Sequence, residues 1–105
     1  MANLYPRDTG LPMTVWVRPR GRARHDARVK VCRTRGENMD PSNLAVVAIH
    51  PTPRVVRGPL AQSDLAPVAE WITLNEETLI GYWNGTLGTT ELVAGLRRIG
   101  DTSTR

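Results

Sequence analysis

SDLAPVAEWITLNEETLIGYWN, residues 63–84, is the longest segment of the 105-residue chain with one consistent period. Leu65, Val68, Ala69, Ile72, Leu79, Ile80 and Trp83 recur at helical spacing and so form one apolar stripe. That stripe is expected as core. Ser63 or Asp64 can cap the start, and Pro67 is expected in the first turn, where its missing N–H removes no helical bond. Asn75, ahead of Glu76 and Glu77, is a good start for a second helix. The segment therefore reads as one long helix or two short ones.

Upstream, the pattern changes from helical to extended. Residues 54–57, RVVR, read as a strand ended by Gly58 and Pro59, and HPTP before them forces a tight connection because prolines do not sit inside a sheet ladder. LAVVAI, residues 44–49, is an unbroken apolar run and is expected as the central strand, covered on both faces or nearly so. TRGENMDPSN before it is turn chemistry. ARVKVCR, residues 27–33, alternates, with Ala27, Val29 and Val31 on one face and Arg28, Lys30 and Cys32 on the other. MTVWV, residues 13–17, reads as a first strand. Residues 1–12 carry Pro6, Gly10 and Pro12 with little apolar content and are expected as an extended or mobile arm.

Downstream, Asn84 and Gly85 stop the helical segment, and Leu92, Val93, Leu96 and Ile99 predict a last helix. Thr89 or Thr90 would cap it, Glu91 stands in its first turn, Arg97 and Arg98 in its last, and Gly100 just past it. Residues 101–105 read as a frayed tail. Strands followed by helices predict an α+β fold, an antiparallel meander of three or four strands with two or three helices packed on one face. A single domain over residues 13–100 would carry Arg28 and Lys30 on the other face, giving a basic sheet surface.

Gly58, Leu60, Val68 and Trp71, then Glu77, Leu79 and Trp83, resemble the closing part of a small bacterial domain of unknown function, often encoded beside a second small domain. Its signature is roughly G-x-L, a Trp about ten residues later, then a helix with E-x-L-x-x-x-W. The resemblance covers residues 13–84, and only the spacing around Trp71 and Trp83 is specific. It implies a similar order of strands and no settled activity. That family carries a His-Pro-rich segment entering its second strand where this chain has His25 alone, and the loop at 40–43 and the final helix also depart from it.

The net charge of +4 is unevenly distributed. Residues 1–57 hold eleven Arg or Lys against four acids, a net of +7, whereas residues 58–105 hold three Arg against six acids, a net of −3. Thirteen of the fourteen cations are Arg, which suits forked contacts with phosphate or carboxylate, although a GC-rich genome gives the same bias. A lone Cys32 cannot form an intramolecular disulfide, so a cytoplasmic setting is expected. The first residues lack a signal-peptide pattern and no apolar run approaches the ~18 residues a membrane span needs, so no membrane partner is expected.

Two histidines, one cysteine and no ligand spacing leave no case for a metal or cofactor. Glu76 and Glu77 read as helix-start acids. Cys32 lies between Lys30 and Arg33 on a polar strand face, as an inert thiol. On one continuous helix Trp71 and Trp83 would stand about 120° apart; Trp83 fits the stripe, while Trp71 and Tyr82 fall off it and are expected half-exposed, as candidate interface aromatics. The strongest functional signal is the run Arg18, Arg20, Arg22, Arg24, Arg28 and Lys30, an arginine-rich hairpin continuing onto a strand face. Such a cluster neutralises phosphates, without the interleaved aromatics that base stacking needs.

The expectation is a non-enzymatic binding protein that docks through this hairpin on nucleic acid or on an acidic surface of a nucleoprotein complex. A specific version is a phage or mobile-element inhibitor of a host defence complex, of the anti-CRISPR type. The alternatives are a small ribonuclease or toxin using His25 as base among the arginines, and a homodimer formed through an edge strand or the two aromatics.

Overall fold

The computed structural model describes residues 2–20, 27–37, 40 and 42–99. Among these are five strands, β1 (Ala2–Leu4), β2 (Met13–Val17), β3 (Arg28–Arg35), β4 (Leu44–Ala48) and β5 (Arg54–Arg57). They pair antiparallel in simple sequence order, β1-β2-β3-β4-β5. A short helix α1 (Pro6–Thr9) joins the first two strands, and α2 (Gln62–Leu74), α3 (Glu76–Trp83) and α4 (Thr89–Gly95) follow the sheet. The fold is α+β, a meander with helices after it.

Alternation in β3 decides which face is covered. Val29 and Val31 are buried and stand beside Val47 and Ala45 of β4, so the apolar rows of adjacent strands coincide. Val68, Trp71, Ile72, Leu79, Tyr82, Trp83 and Leu92 from the helices pack with this row and with Val15, Val17 and Leu4 into one core. Lys30 points the other way, between Trp16 of β2 and Val46 of β4.

Residues 2–9 are not an extended arm. Ala2 and Leu4 are buried in an edge strand paired with β2, and α1 follows, with Asp8 Oδ2 accepting from Tyr5 N at 3.0 Å. Two apolar residues at period two were enough for a three-residue strand once a neighbouring edge existed to receive them. The central strand is β3, with LAVVAI one place toward the β5 edge; Leu44 and Val46 are accordingly only half-buried.

The helical segment breaks at Asn75, giving two helices. Helix α2 begins at Gln62, ahead of the expected cap, so Pro67 is its sixth residue and lies in the second turn, where it does remove one helical bond. The break re-aims α3 relative to α2, so a single-helix projection fails: Trp71 is 0% and Tyr82 2% exposed. Both aromatics belong to the core and not to a half-exposed surface. Tyr82 Oη lies 3.1 Å from Thr89 Oγ1 at the start of α4. The last helix stops at Gly95, where Leu96 turns extended (φ −73°, ψ 142°), and residues 96–99 run as a strap to α1, with Ile99 N donating to Thr9 O at 2.9 Å. Val93, one of the four apolar residues of that pattern, is 53% exposed.

Candidate anion-binding site

The outer sheet face carries a concavity of about 270 Å³ at one end of β2, β3 and the β4–β5 edge. Trp16 and Val46 of the outer face line it together with Val17 and Trp83, which reach it from the core at the end of β2, and Arg18, Arg28, Lys30 and Arg57 complete the lining. Register explains the convergence. Trp16 pairs with Lys30, Lys30 with Val46 and Val46 with Arg57, so one cross-strand row passes under the site. Arg28 lies two residues from Lys30 on the same side of β3, about 6.7 Å away along the strand.

Arg57 reaches this face through an irregularity. Val47 pairs with Val55, yet the next pair is Val46 with Arg57, so β5 has one more residue than β4 at this point. Strict alternation would place Arg57 on the side of Val55, which packs against the core. The extra residue turns it outward.

The electrostatics are one-sided. Among the described residues no acidic side chain lines the concavity. Two arginines elsewhere are matched to carboxylates: Arg7 Nη1 donates to Glu37 Oε2 at 2.8 Å and Arg35 Nη2 to Asp64 Oδ1 at 2.9 Å. Among the described residues Arg18, Arg28, Lys30 and Arg57 have no ion-pair partner. Arg28 Nε is buried and makes no hydrogen bond, an unusual state for a cationic N–H. Glu70, Glu76, Glu77 and Glu91 all belong to the helical layer, so charge is separated across the protein.

Of the residues singled out by sequence, the structure brings Arg18, Arg28 and Lys30 together. Arg20 is exposed just beyond them, its N donating to Trp83 O at 2.7 Å. Arg22 and Arg24 lie outside the described residues, as do His25 of the ribonuclease reading and the tail at 101–105. Trp71 and Tyr82 take no part, since both are core. Sequence reasoning missed Trp16, Trp83 and Arg57. Trp16, alternating with Val15 and Val17, carried a signal for the outer face; Arg57 carried none, because its orientation depends on the irregularity in β5.

Cys32 shares the outer face, where it is fully buried. His50 Nδ1 lies 3.4 Å from Glu76 Oε2, both side chains being well exposed, on the helical side. Among the described residues no three His, Cys, Asp or Glu side chains cluster as metal donors, and no helix is long and apolar enough to cross a membrane. Comparison with family models, curated proteins and solved structures finds no match to this chain.

Proposed function

We propose that this is a non-enzymatic binding protein that docks on nucleic acid, free or within a nucleoprotein complex, through the basic outer face of its sheet. The observation that carries this reading is the convergence of four cations, Arg18, Arg28, Lys30 and Arg57, on one concavity, with no ion-pair partner and no lining acid among the described residues. A polyanion supplies the missing charge and releases its own counterions on binding. The acidic helical layer on the opposite side favours one orientation of approach.

Fluorescence anisotropy of labelled single-stranded and duplex oligonucleotides, titrated across salt concentration, tests this. Affinity should fall with a log–log slope of roughly −0.7 per contacted phosphate for the single strand. Changing Arg18 and Arg57 together to Ser should weaken binding and flatten that slope by about one to two contacts. Absence of binding at low salt, or binding indifferent to the double substitution, would return these cations to a solvated surface.

A further inference from the structure

The four cations of the concavity are not equivalent. Arg18 and Arg57 are exposed, one at the end of β2 and one on the edge strand β5, whereas Arg28 and Lys30 are half-buried on β3, between two paired strands. A half-buried charge is screened less by salt and interacts more strongly with a bound counter-charge than an exposed one. The inner pair is therefore where an anion is held, and the outer pair is where it is attracted. Register adds a second distinction. Trp16 stands opposite Lys30, so the same register carried two residues further sets Arg18 opposite Arg28. Like charges directly opposite one another destabilise a strand pair, and an anion between them reverses the sign of the interaction.

Arg28 carries a further mark. Its Nε is buried and makes no hydrogen bond, so this N–H has lost water without gaining a partner. In a guanidinium the Nε–H and one Nη–H point the same way along one edge, spaced for two oxygens of a single oxyanion. The side chain as a whole is half-exposed and lines the concavity, so a rotation within its long chain presents that edge to a ligand. A chloride ion has one centre and does not fill the fork. Lys30 lies along the strand from Arg28 and Arg18 lies across from it, two directions at right angles. A phosphate is tetrahedral and turns its oxygens in more than one direction, as that arrangement requires; a carboxylate keeps both of its oxygens in one plane.

We infer that the concavity holds one phosphate group, taken side-on by the Nε–Nη edge of Arg28, with Lys30 and Arg18 completing its contacts and Arg57 supplying charge from the rim. The inference deepens the docking reading and rests on it for the source of the phosphate, a diester of a nucleic acid. Inorganic phosphate presents the same chemistry without the chain. Binding then depends on the shape of one guanidinium as well as on the number of charges.

Thermal unfolding in sodium phosphate, against sodium acetate and sodium chloride at the same pH and ionic strength, tests the site without any nucleic acid. At millimolar concentrations phosphate should raise the melting temperature along a saturating curve, as a ligand of the folded state does, and the other two salts should not. General exclusion of phosphate from the protein surface also stabilises, but without saturation. Arg28→Lys keeps the charge and removes the fork, so it should weaken phosphate binding roughly tenfold. Arg57→Lys should weaken it less, and Arg33→Lys, outside the concavity, should leave it unchanged. In the oligonucleotide titration Arg28→Lys should lower affinity while the salt slope stays that of the wild type, because the number of charges is the same. The comparison of salts on the wild type stands even where Arg28→Lys is unstable. Acetate or chloride acting as phosphate does would overturn the assignment to phosphate. Absence of a saturable phosphate effect, with oligonucleotides still bound and indifferent to Arg28→Lys, would overturn the site and leave docking intact. Saturable, Arg28-dependent binding of phosphate by a protein that ignores every oligonucleotide would uphold the site and overturn nucleic acid as its source.

Discussion

Asn75 holds both backbone groups of Arg97: its Nδ2 donates to Arg97 O at 2.9 Å and its Oδ1 accepts from Arg97 N at 2.7 Å. The same Nδ2 donates to Trp71 O at 2.9 Å, so one buried side chain bridges the end of α2 and the strap that follows α4. Asn is a common helix cap, but here its side chain does not cap α3 at all. It takes the place of a strand partner for a segment that has none. Asn75→Ala should therefore cost about 2–4 kcal/mol in urea unfolding, since it strands backbone groups at both ends. Asn75→Asp should cost at least as much, because it loses the donated bonds and buries a charge.

Gly10 receives the other end of that strap. Its φ is +82°, and a Cβ there would stand 2.5 Å from Ile99 O, a backbone atom that cannot swing aside. Gly10→Ala should destabilise by roughly 1–3 kcal/mol and speed hydrogen exchange at the Ile99 amide. Both substitutions release one segment, so their combination should cost less than the sum. Strict additivity in the double variant would mean the two anchors act independently.

Trp71 is buried at the centre of the core with its Nε1–H unpartnered. An orphaned donor carries its desolvation penalty in the native state. Trp71→Phe removes that donor along with part of the ring volume, two effects of opposite sign, and should change stability by no more than about 1 kcal/mol. Trp71→Ala should cost about 3–5 kcal/mol, as large-to-small changes in a packed core do. A Phe variant as damaged as the Ala variant would show that the N–H is bonded after all.

Asp40 Oδ1 accepts from Ser42 Oγ at 2.6 Å and from Ser42 N at 3.1 Å. The hydroxyl first and the amide second hold its carboxyl below the ordinary carboxylate range, with a small opposing effect of desolvation. A depressed folded pKa means that its contribution is present above the unfolded value and is lost as pH falls through the folded one. An NMR titration should place Asp40 below an unstructured Asp, and Ser42→Ala should move it upward.

The alternation of Val29 and Val31 with Arg28 and Lys30 was legible because a two-residue period survives without knowledge of neighbours. The meander and the basic face both followed from it. The N-terminal strand was not legible, since Ala2 and Leu4 become a strand only against the open edge of β2. Nor were the positions of Trp71 and Tyr82, which depend on how far Asn75 turns one helix from the next. The site divides in the same way. Arg18, Arg28 and Lys30 were visible as local pattern, whereas Trp16 and Arg57 join them through pairing register, a tertiary fact that the local sequence does not encode.

The basic face should also cost stability when no anion is bound. Lys30 and Arg28 are about 6.7 Å apart along β3, and Lys30 and Arg57 are separated by two strand spacings, ~9.6 Å. At ~7 Å a pair of like charges repels by about 0.6 kcal/mol in water and ~2.4 kcal/mol at an effective dielectric of 20. Both Lys30 and Arg28 are half-buried, so the value lies between these limits. Lys30→Met keeps the aliphatic stem beside Trp16 and removes the charge. It should raise stability by about 1 kcal/mol at low ionic strength. The gain should shrink by 0.5 M salt, where screening acts over only a few ångströms. Measured by thermal unfolding of wild type and variant across salt concentration, a gain of this kind would show that the four cations were kept together against their own repulsion. A loss at every ionic strength would instead place Lys30 among the groups that hold the sheet.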